Sequence, residues 1–139
     1  LYVNRETKEL RLEEQQRGKA TARLLAQLDE PFPAHDLTCA EASQLAGFAL
    51  AANHWGIESA ALNAGYLWSW LENATMAGVK LIPLGQSAGQ QILLSLSQLL
   101  PEALIASQQI LDHEIGSFTP AQAIASSQHE TQYTRLYRS

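Results

Sequence analysis

The sequence has little cysteine, few basic residues and no long apolar run. Cys39 is the only cysteine among 139 residues, which excludes an internal disulfide and a cage of several thiolates. A reducing compartment fits this composition, and we expect a cytoplasmic protein. Nine lysines and arginines against fourteen acidic residues give a formal charge of -5. That sign disfavours a protein that binds nucleic acid by neutralising phosphates.

Residues 59–79 come nearest to a membrane span but do not form one. They contain one charged residue, Glu72, yet Asn63, Ser69 and Asn73 interrupt the apolar stretch. A transmembrane helix needs about 20 predominantly apolar residues. We therefore interpret the segment as a buried helix and expect no membrane association.

Signals for β-strands are also missing, whereas helical periodicity is present throughout. No apolar-polar alternation persists, and no Asn-Gly or Asp-Gly turn separates β-branched runs. The length and a hydrophobic content of 46% suit one compact domain. We predict an all-α, single-domain bundle of about five to six helices over residues 1–127, followed by a partner-binding tail at 128–139.

Several local patterns set the predicted helix boundaries. Thr38 and Glu41 have the spacing of a capping box, and Thr119 precedes a proline suited to the first helical position. Glu13 and Arg17 are spaced for an ion pair on one helix. The predicted helices cover approximately residues 4–28, 38–55, 86–100, 102–111 and 121–127, and another begins near residue 58.

We expect the two least charged helices to supply the core. Residues 81–101 contain no charged side chain, and the exposed face of that helix would carry only Gln, Ser, Ala and Gly. Two interpretations of this face stay open: burial against another protein, or an ordinary polar surface. The predicted inward side chains are Leu62, Tyr66, Trp70 and Ala74 on the central helix, with Leu67 and Leu71 beside them, and Ile92, Leu93, Leu96, Leu99 and Leu100 on the next.

No pattern for a metal site or for catalysis is apparent. The histidines at 35, 54, 113 and 129 are not three or four residues apart, and there is no HExxH motif or Cys-His cluster. A metal site assembled across the fold stays open as an alternative. Cys39 is interpreted as a small core residue, and the adjacent Asp112, His113 and Glu114 cannot converge on one helix face. We predict a protein that is not an enzyme.

The stretch PLGQSAGQQ, residues 83–91, has two glycines and leads into a helix, as phosphate-binding loops do. It lacks the lysine and the serine or threonine that a nucleotide site requires, and no strand precedes it. We predict a tight Pro-Gly turn in which Gly89 permits close helix packing, and no cofactor.

Three longer sequence segments and their order along the chain are the most specific pattern in this sequence. They are NRETKELRLEEQQRG at residues 4–18, AGVKLIPLGQSAGQQ at 77–91 and IGSFTPAQAIASSQHETQYTRLYRS at 115–139. Together they resemble the UreF family of urease accessory proteins. The resemblance implies an all-α protein that forms a homodimer and binds UreD, called UreH in some organisms. The complex would recruit the GTPase UreG and deliver nickel to apo-urease.

Two other functions are alternatives to this scaffold. The first is an adaptor that bridges UreD and urease without contacting the GTPase. The second is an enzyme, which would require convergent polar residues in a pocket.

The resemblance assigns a partner-binding role to the central segment. Lys80 resembles the family lysine that engages the GTPase, and a cation beside an uncharged surface would orient an acidic partner. Pro83, Gly85 and Gln86 belong to the same predicted surface. The alternative is a lysine that extends to solvent from a helix end.

The resemblance also assigns a role to the C-terminal segment. Arg135 resembles the tail arginine that orders the dimer and helps to create the GTPase-binding surface. Its aromatic and aliphatic neighbours would act as anchors, while polar residues before it would dock on UreD. The alternative is a frayed terminus. The other predicted tail residues are His129, Glu130, Gln132, Tyr133, Leu136 and Tyr137.

One departure from the family concerns the start of the chain. The sequence begins at Leu1, without methionine, and lacks the family's N-terminal Pro-x-Gly-Gly-aromatic motif. We expect a fragment without its N-terminal segment, and we expect that loss to impair dimerisation and UreD binding by this piece. Apolar helix surface normally covered by that segment would be exposed and favour self-association.

Overall fold

The computed structural model describes residues 4–28, 32–116 and 119–134. This part of the chain contains seven α-helices, a short 3-10 turn at Asp112–Glu114 and no strand. The predicted all-α fold class is confirmed. The helices are α1 (Lys8–Leu25), α2 (Ala34–Ala40), α3 (Gln44–His54), α4 (Ser59–Leu81), α5 (Gln86–Ser97), α6 (Leu100–Gln108) and α7 (Pro120–Glu130).

The chain forms two compact units. Unit 1 comprises residues 1–54 and 115–139, and unit 2 comprises residues 55–114. Unit 1 therefore contains α1, α2, α3 and α7, and unit 2 contains α4, α5 and α6. The helix α7 continues to Glu130, so it includes the first residues of the predicted tail, whose separate function stays a prediction. None of the described helices combines the length and the apolar character needed to cross a bilayer.

In unit 1, α1 presents a narrow buried face to α2 and α3. Its N-cap Thr7 is extended and accepts a hydrogen bond from the Leu10 amide at 3.3 Å, which satisfies one free donor of the first turn. A Cβ added to Gly18 would lie only 2.5 Å from the carbonyl oxygen of Glu41, so the close approach requires glycine. The buried residues of α1 recur every three or four positions and are Glu14, Gly18, Ala22 and Leu25.

The single helix predicted from Thr38 onward is wrong, because the chain breaks at residues 41–43 and forms α2 and α3. Thr38 lies inside α2, where its hydroxyl donates to the Ala34 carbonyl at 3.0 Å. Ser43 performs the capping instead, since its hydroxyl accepts from the Ala46 amide at 3.1 Å. A threonine can bond a carbonyl four residues back as readily as it caps a helix, so spacing alone did not separate the two.

In unit 2, α4 packs against α5 and α6. Gly89 of α5 is buried, and a Cβ added there would collide with the side chain of Val79 on α4. The prediction that Gly89 permits close helix packing is confirmed. Leu71 and Leu93 are the large side chains that this unit buries in the described structure.

The predicted core of unit 2 is wrong in part. Trp70 is 52% exposed, whereas Leu71, which was predicted beside it, is buried. Of the five side chains predicted to point inward from a helix at 86–100, Leu93 is buried and Leu100 is half-buried, whereas Ile92, Leu96 and Leu99 are exposed. A helix with few neighbours can bury only a narrow stripe of its circumference. The apolar positions outside that stripe therefore lie on the surface of this unit.

Candidate functional site

The central sequence segment forms the turn between α4 and α5, which we call the α4–α5 turn and define as residues 80–86. The amide of Ile82 donates to the Gly78 carbonyl at 2.9 Å, and that of Leu84 donates to the Ile82 carbonyl at 2.7 Å. Gly85 precedes α5 with a φ of 71°, a conformation that is strained for other residues. Local backbone bonds and this glycine therefore determine the shape of the turn.

All four residues predicted to bind a partner here are exposed: Lys80, Pro83, Gly85 and Gln86. Lys80 is in the last turn of α4, where a cation interacts favourably with the helix dipole. It is followed by Leu81 and Ile82, which are 56% and 54% exposed. The α4–α5 turn thus presents a single cation beside solvent-exposed apolar side chains.

The composition around Lys80 makes that cation distinctive. It is the sole lysine or arginine between Arg23 and Arg135, and it is therefore the only one in unit 2. The same unit contains five aspartates and glutamates. A partner with an acidic site would find one positive anchor on this unit, at the α4–α5 turn.

A second cluster lies in unit 1, where the end of α7 meets the start of α1. We call it the α1–α7 junction and define it by Thr7, Glu9, Ser126, His129 and Glu130. The hydroxyl oxygens of Thr7 and Ser126 are 2.7 Å apart, and the Glu9 amide donates to Glu130 Oε1 at 2.9 Å. His129 Nδ1 lies 2.6 Å from Glu9 Oε2. The junction therefore joins a helix N-terminus to a carboxylate, which is an electrostatically favourable arrangement.

The predicted tail residues thus fall into three groups. His129 and Glu130 are half-buried in α7 and bonded to the first turn of α1. Gln132 and Tyr133 follow α7 and are exposed. Arg135, Leu136 and Tyr137 lie outside the described residues.

Sequence reasoning missed a buried ionic cluster in unit 1. Glu14 is only 4% exposed; its Oε2 is 2.9 Å from Arg5 Nη2, and its Oε1 accepts from the Gln44 amide at 3.3 Å. The carboxylate therefore joins the segment before α1 to the N-terminus of α3. One signal could have revealed it: Glu14 occupies the same helix face as Gly18 and Ala22, at a position where a charge is unexpected.

Cys39 and the 3-10 turn carry side chains of the types that bind metals or act in catalysis. Cys39 is exposed, so its interpretation as a core residue is wrong; its sulfur lies 4.0 Å from His35 Nε2. The sequence analysis compared the spacing of histidines only with one another, and it therefore missed a histidine and a cysteine four residues apart. Within the described ranges no group of three or more potential ligands could hold a metal ion. In the 3-10 turn, the Glu114 carboxylate accepts from the Leu111 amide at 3.2 Å, a local structural role.

Comparison with known proteins decides the family. The family model named UreF matches residues 1–97. The chain belongs to the UreF family. Among its curated relatives, the urease accessory protein UreF of Pseudomonas putida strain W619 is 52% identical over 141 residues, which cover 100% of this chain and 62% of the relative.

Other UreF proteins match over the same extent. Those of Alcanivorax borkumensis and of Klebsiella pneumoniae strain 342 are each 50% identical over 145 residues, covering all of this chain and 63% and 62% of the relatives. The chain therefore spans less than two thirds of the length of these UreF relatives. The predicted resemblance to the family is confirmed.

Two of the three UreF-like segments contact each other in the folded chain. The first segment contributes Thr7 and Glu9 to the α1–α7 junction, and the third contributes Ser126, His129 and Glu130. The second segment forms the α4–α5 turn. In this UreF chain, the segments that suggested the family are therefore also the ones that build the candidate surfaces.

Proposed function

We propose that this UreF-family chain is part of a non-enzymatic, cytoplasmic scaffold for urease maturation. It binds UreD (UreH), forms a homodimer, and recruits the GTPase UreG so that nickel is inserted into apo-urease. The α4–α5 turn contacts the GTPase, and the C-terminal residues from His129 onward contact UreD. Nucleotide and metal belong to the partners, and this chain contributes binding surface.

The observation that supports the GTPase contact is the position of Lys80. A lysine flanked by exposed leucine and isoleucine side chains combines apolar contact area with one directional charge. Such a combination favours a partner with an apolar patch and an acidic rim, because the charge sets orientation while the buried apolar area supplies affinity. Since unit 2 contains no second lysine or arginine, loss of this charge has no local substitute.

The test replaces Lys80 with alanine in the full-length protein. Retention of UreG by the UreF–UreD complex should fall by about tenfold or more, because a central charged contact contributes about 1.5 kcal/mol or more. The measurements are binding by biolayer interferometry and urease activation. Lys19→Ala is the matched control: Lys19 is also an exposed helical lysine, on α1, and its loss should leave UreG binding unchanged.

Circular dichroism must show the same helix content for both variants. If Lys80→Ala and Lys80→Glu bind UreG as tightly as the natural protein, the assignment of the α4–α5 turn is wrong. Arg135→Ala provides the parallel test for the tail, with the same expected loss of UreG recruitment.

The alternative is an adaptor that bridges UreD and urease and makes no contact with the GTPase. The exposed apolar surface of unit 2 would serve that role as well. Purified UreG mixed with the full-length protein, with and without UreD, separates the two functions. Complex formation that depends on UreD and is insensitive to Lys80→Glu supports the adaptor.

A further inference from the structure

An open groove lies in unit 1 between the segment that precedes α1 and the middle of α7. Its volume is about 390 Å³, which is near the small end of the range of about 300–1,000 Å³ for ligand pockets. The space therefore suits one long side chain better than a whole helix. We call it the Glu6 groove. It is defined by its lining residues, which are Glu6, Thr7, Ala123, Ile124, Ser127 and Gln128.

One wall of the Glu6 groove is apolar and uncovered. Ile124 is 59% exposed, and the adjacent Ala123 is half-buried. The helix α7 buries none of its residues, so this wall is not part of the core of unit 1. A side chain that lay along the wall would remove apolar area from water, which stabilises a complex. The wall thus favours an occupant with an aliphatic stem.

The polar side chains of the groove are rich in hydrogen-bond acceptors. Glu6, Ser127 and Gln128 are exposed, and their side chains make no hydrogen bond or ion pair within the part of the chain that the structure describes. A carboxylate only accepts hydrogen bonds, and a hydroxyl or a side-chain amide can accept them as well. A ligand that presents several donors could therefore bond all three side chains.

The start of α1 offers little to a negatively charged occupant. The Leu10 amide already donates to the Thr7 side chain at 3.3 Å, and the Glu9 amide donates to Glu130 Oε1 at 2.9 Å. An anion would lack these two donors, which a helix N-terminus otherwise presents, and it would meet the Glu6 carboxylate. The groove therefore selects positive charge.

The neighbouring cations do not neutralise this carboxylate. The helix α7 contains no lysine or arginine. The guanidinium of Arg5 is paired with Glu14 at 2.9 Å, and that of Arg11 donates to the backbone carbonyls of residues 5 and 6. Lys8 is exposed and does not line the groove. Charge complementarity thus leaves room for a cation that another molecule supplies.

We propose that the Glu6 groove receives an arginine side chain of the partner protein that binds the C-terminal end of α7. The aliphatic stem lies along the apolar wall, and the guanidinium donates to the Glu6 carboxylate and to the side chains of Ser127 and Gln128. Arginine fits better than lysine, because its planar group has five donors and can bond a carboxylate in two places. The groove directly precedes the residues from His129 onward, so assigning this arginine to UreD rests on the proposed function.

A titration with a small probe tests the groove without any partner. Amide NMR spectra of the full-length protein are recorded with increasing N-acetyl-arginine methylamide. Saturable shifts should appear at residues 6–10 and 123–128, with a Kd on the order of millimolar. The lysine analogue should bind about threefold more weakly, and the neutral citrulline analogue should not bind measurably. Equal affinity for the three probes, or shifts confined to other residues, would overturn the proposal.

Three variants identify the groups that bind the probe. Glu6→Gln removes the charge with little change in shape and should weaken probe binding about tenfold. Ser127→Leu should cause a similar loss, because the larger side chain fills the groove while the carboxylate stays in place. The control Glu41→Gln removes another exposed carboxylate of unit 1, at the end of α2, and should have no effect. Unchanged probe affinity in Glu6→Gln would refute the site.

The tail of the same chain also contains arginine, and one further variant distinguishes that occupant from a partner. Arg135→Ala should leave probe affinity unchanged. Probe binding that appears only in this variant would show that the tail itself fills the groove, and it would overturn the assignment to a partner protein.

A second measurement separates the groove from the proposed function. Glu6→Gln and Ser127→Leu should each lower the affinity of the full-length protein for purified UreD about tenfold, whereas Glu41→Gln should not. Natural affinity in both groove variants would overturn the assignment of the arginine to UreD. If the natural protein does not bind UreD at all, the proposed function fails, while the probe titration still judges the groove.

Discussion

The two units of this chain are both helical, yet they are stabilised differently. In the described structure, nine residues of unit 1 are buried, against three in unit 2. The buried set of unit 1 includes Thr7 and the ionic Glu14, together with glycine and alanine at close helix contacts. Unit 1 therefore depends on close backbone approach and on bonded polar groups, which tolerate little change in geometry.

Unit 2 has the more apolar sequence but the smaller core. Most of the exposed large hydrophobic side chains of the described structure belong to it, including Trp68, Trp70, Leu94 and Leu99. Apolar content therefore does not determine burial; the number of neighbouring helices does. The contrast between the units leads to three predictions, ordered by expected effect.

The largest expected effect concerns the buried carboxylate of unit 1. Glu14→Ala should lower the free energy of unfolding by about 2–4 kcal/mol, because it removes the ion pair with Arg5 and the bond to the Gln44 amide. Glu13→Ala is the control, since its pair with Arg17 at 2.8 Å is on the surface and should contribute about 0.5 kcal/mol or less. Urea denaturation followed by circular dichroism measures both. Equal losses of unfolding free energy in the two variants would show that burial does not make the ion pair of Glu14 more stabilising than the exposed pair of Glu13.

A pair of glycines tests the difference in backbone approach between the units. Gly18→Ala should destabilise unit 1 by about 1–3 kcal/mol, because the new methyl group meets backbone atoms of residues 41–43. Gly65→Ala, in the interior of α4, should stabilise unit 2 by about 0.5–1 kcal/mol, since no atom beyond its chain neighbours and the adjacent α4 backbone lies within 4 Å of the added Cβ. Hydrogen exchange of peptides from each unit locates the change. If both substitutions stabilised the protein, the backbones in unit 1 would not approach one another more closely than those around Gly65 in unit 2.

The smallest effect concerns the one close glycine contact in unit 2. Gly89→Ala should cost about 1 kcal/mol, because its methyl group meets a side chain, that of Val79, which can adjust more easily than backbone. In a protein that already carries Val79→Ala, the same Gly89→Ala substitution should cost much less, because the side chain that it meets has been shortened. A double-mutant cycle from thermal or urea unfolding provides the coupling energy. Additive losses would show that the contact between α4 and α5 is looser than described.

Some features of the fold were predictable because they depend on near neighbours in the chain. The helical fold class, the pair of Glu13 and Arg17, the proline at the first position of α7 and the packing role of Gly89 all follow from local spacing. The helix prediction through Thr38 failed because a hydroxyl has two local bonding choices. The predicted core of unit 2 was wrong at Trp70 and at several positions after it, because helical periodicity identifies an apolar face without showing whether another helix covers it.

The sequence by itself determined the helical fold class, the absence of a disulfide within this chain and, through three ordered segments, membership of the UreF family. It also shows that Lys80 is a lone cation between Arg23 and Arg135, while the role of this lysine stays a prediction. Only the tertiary structure decided that Glu9 meets His129 and that Glu14 meets the start of α3. These contacts join residues 120 and 30 positions apart. Local periodicity carries no information about such pairs, because they form only when helices distant in sequence pack together.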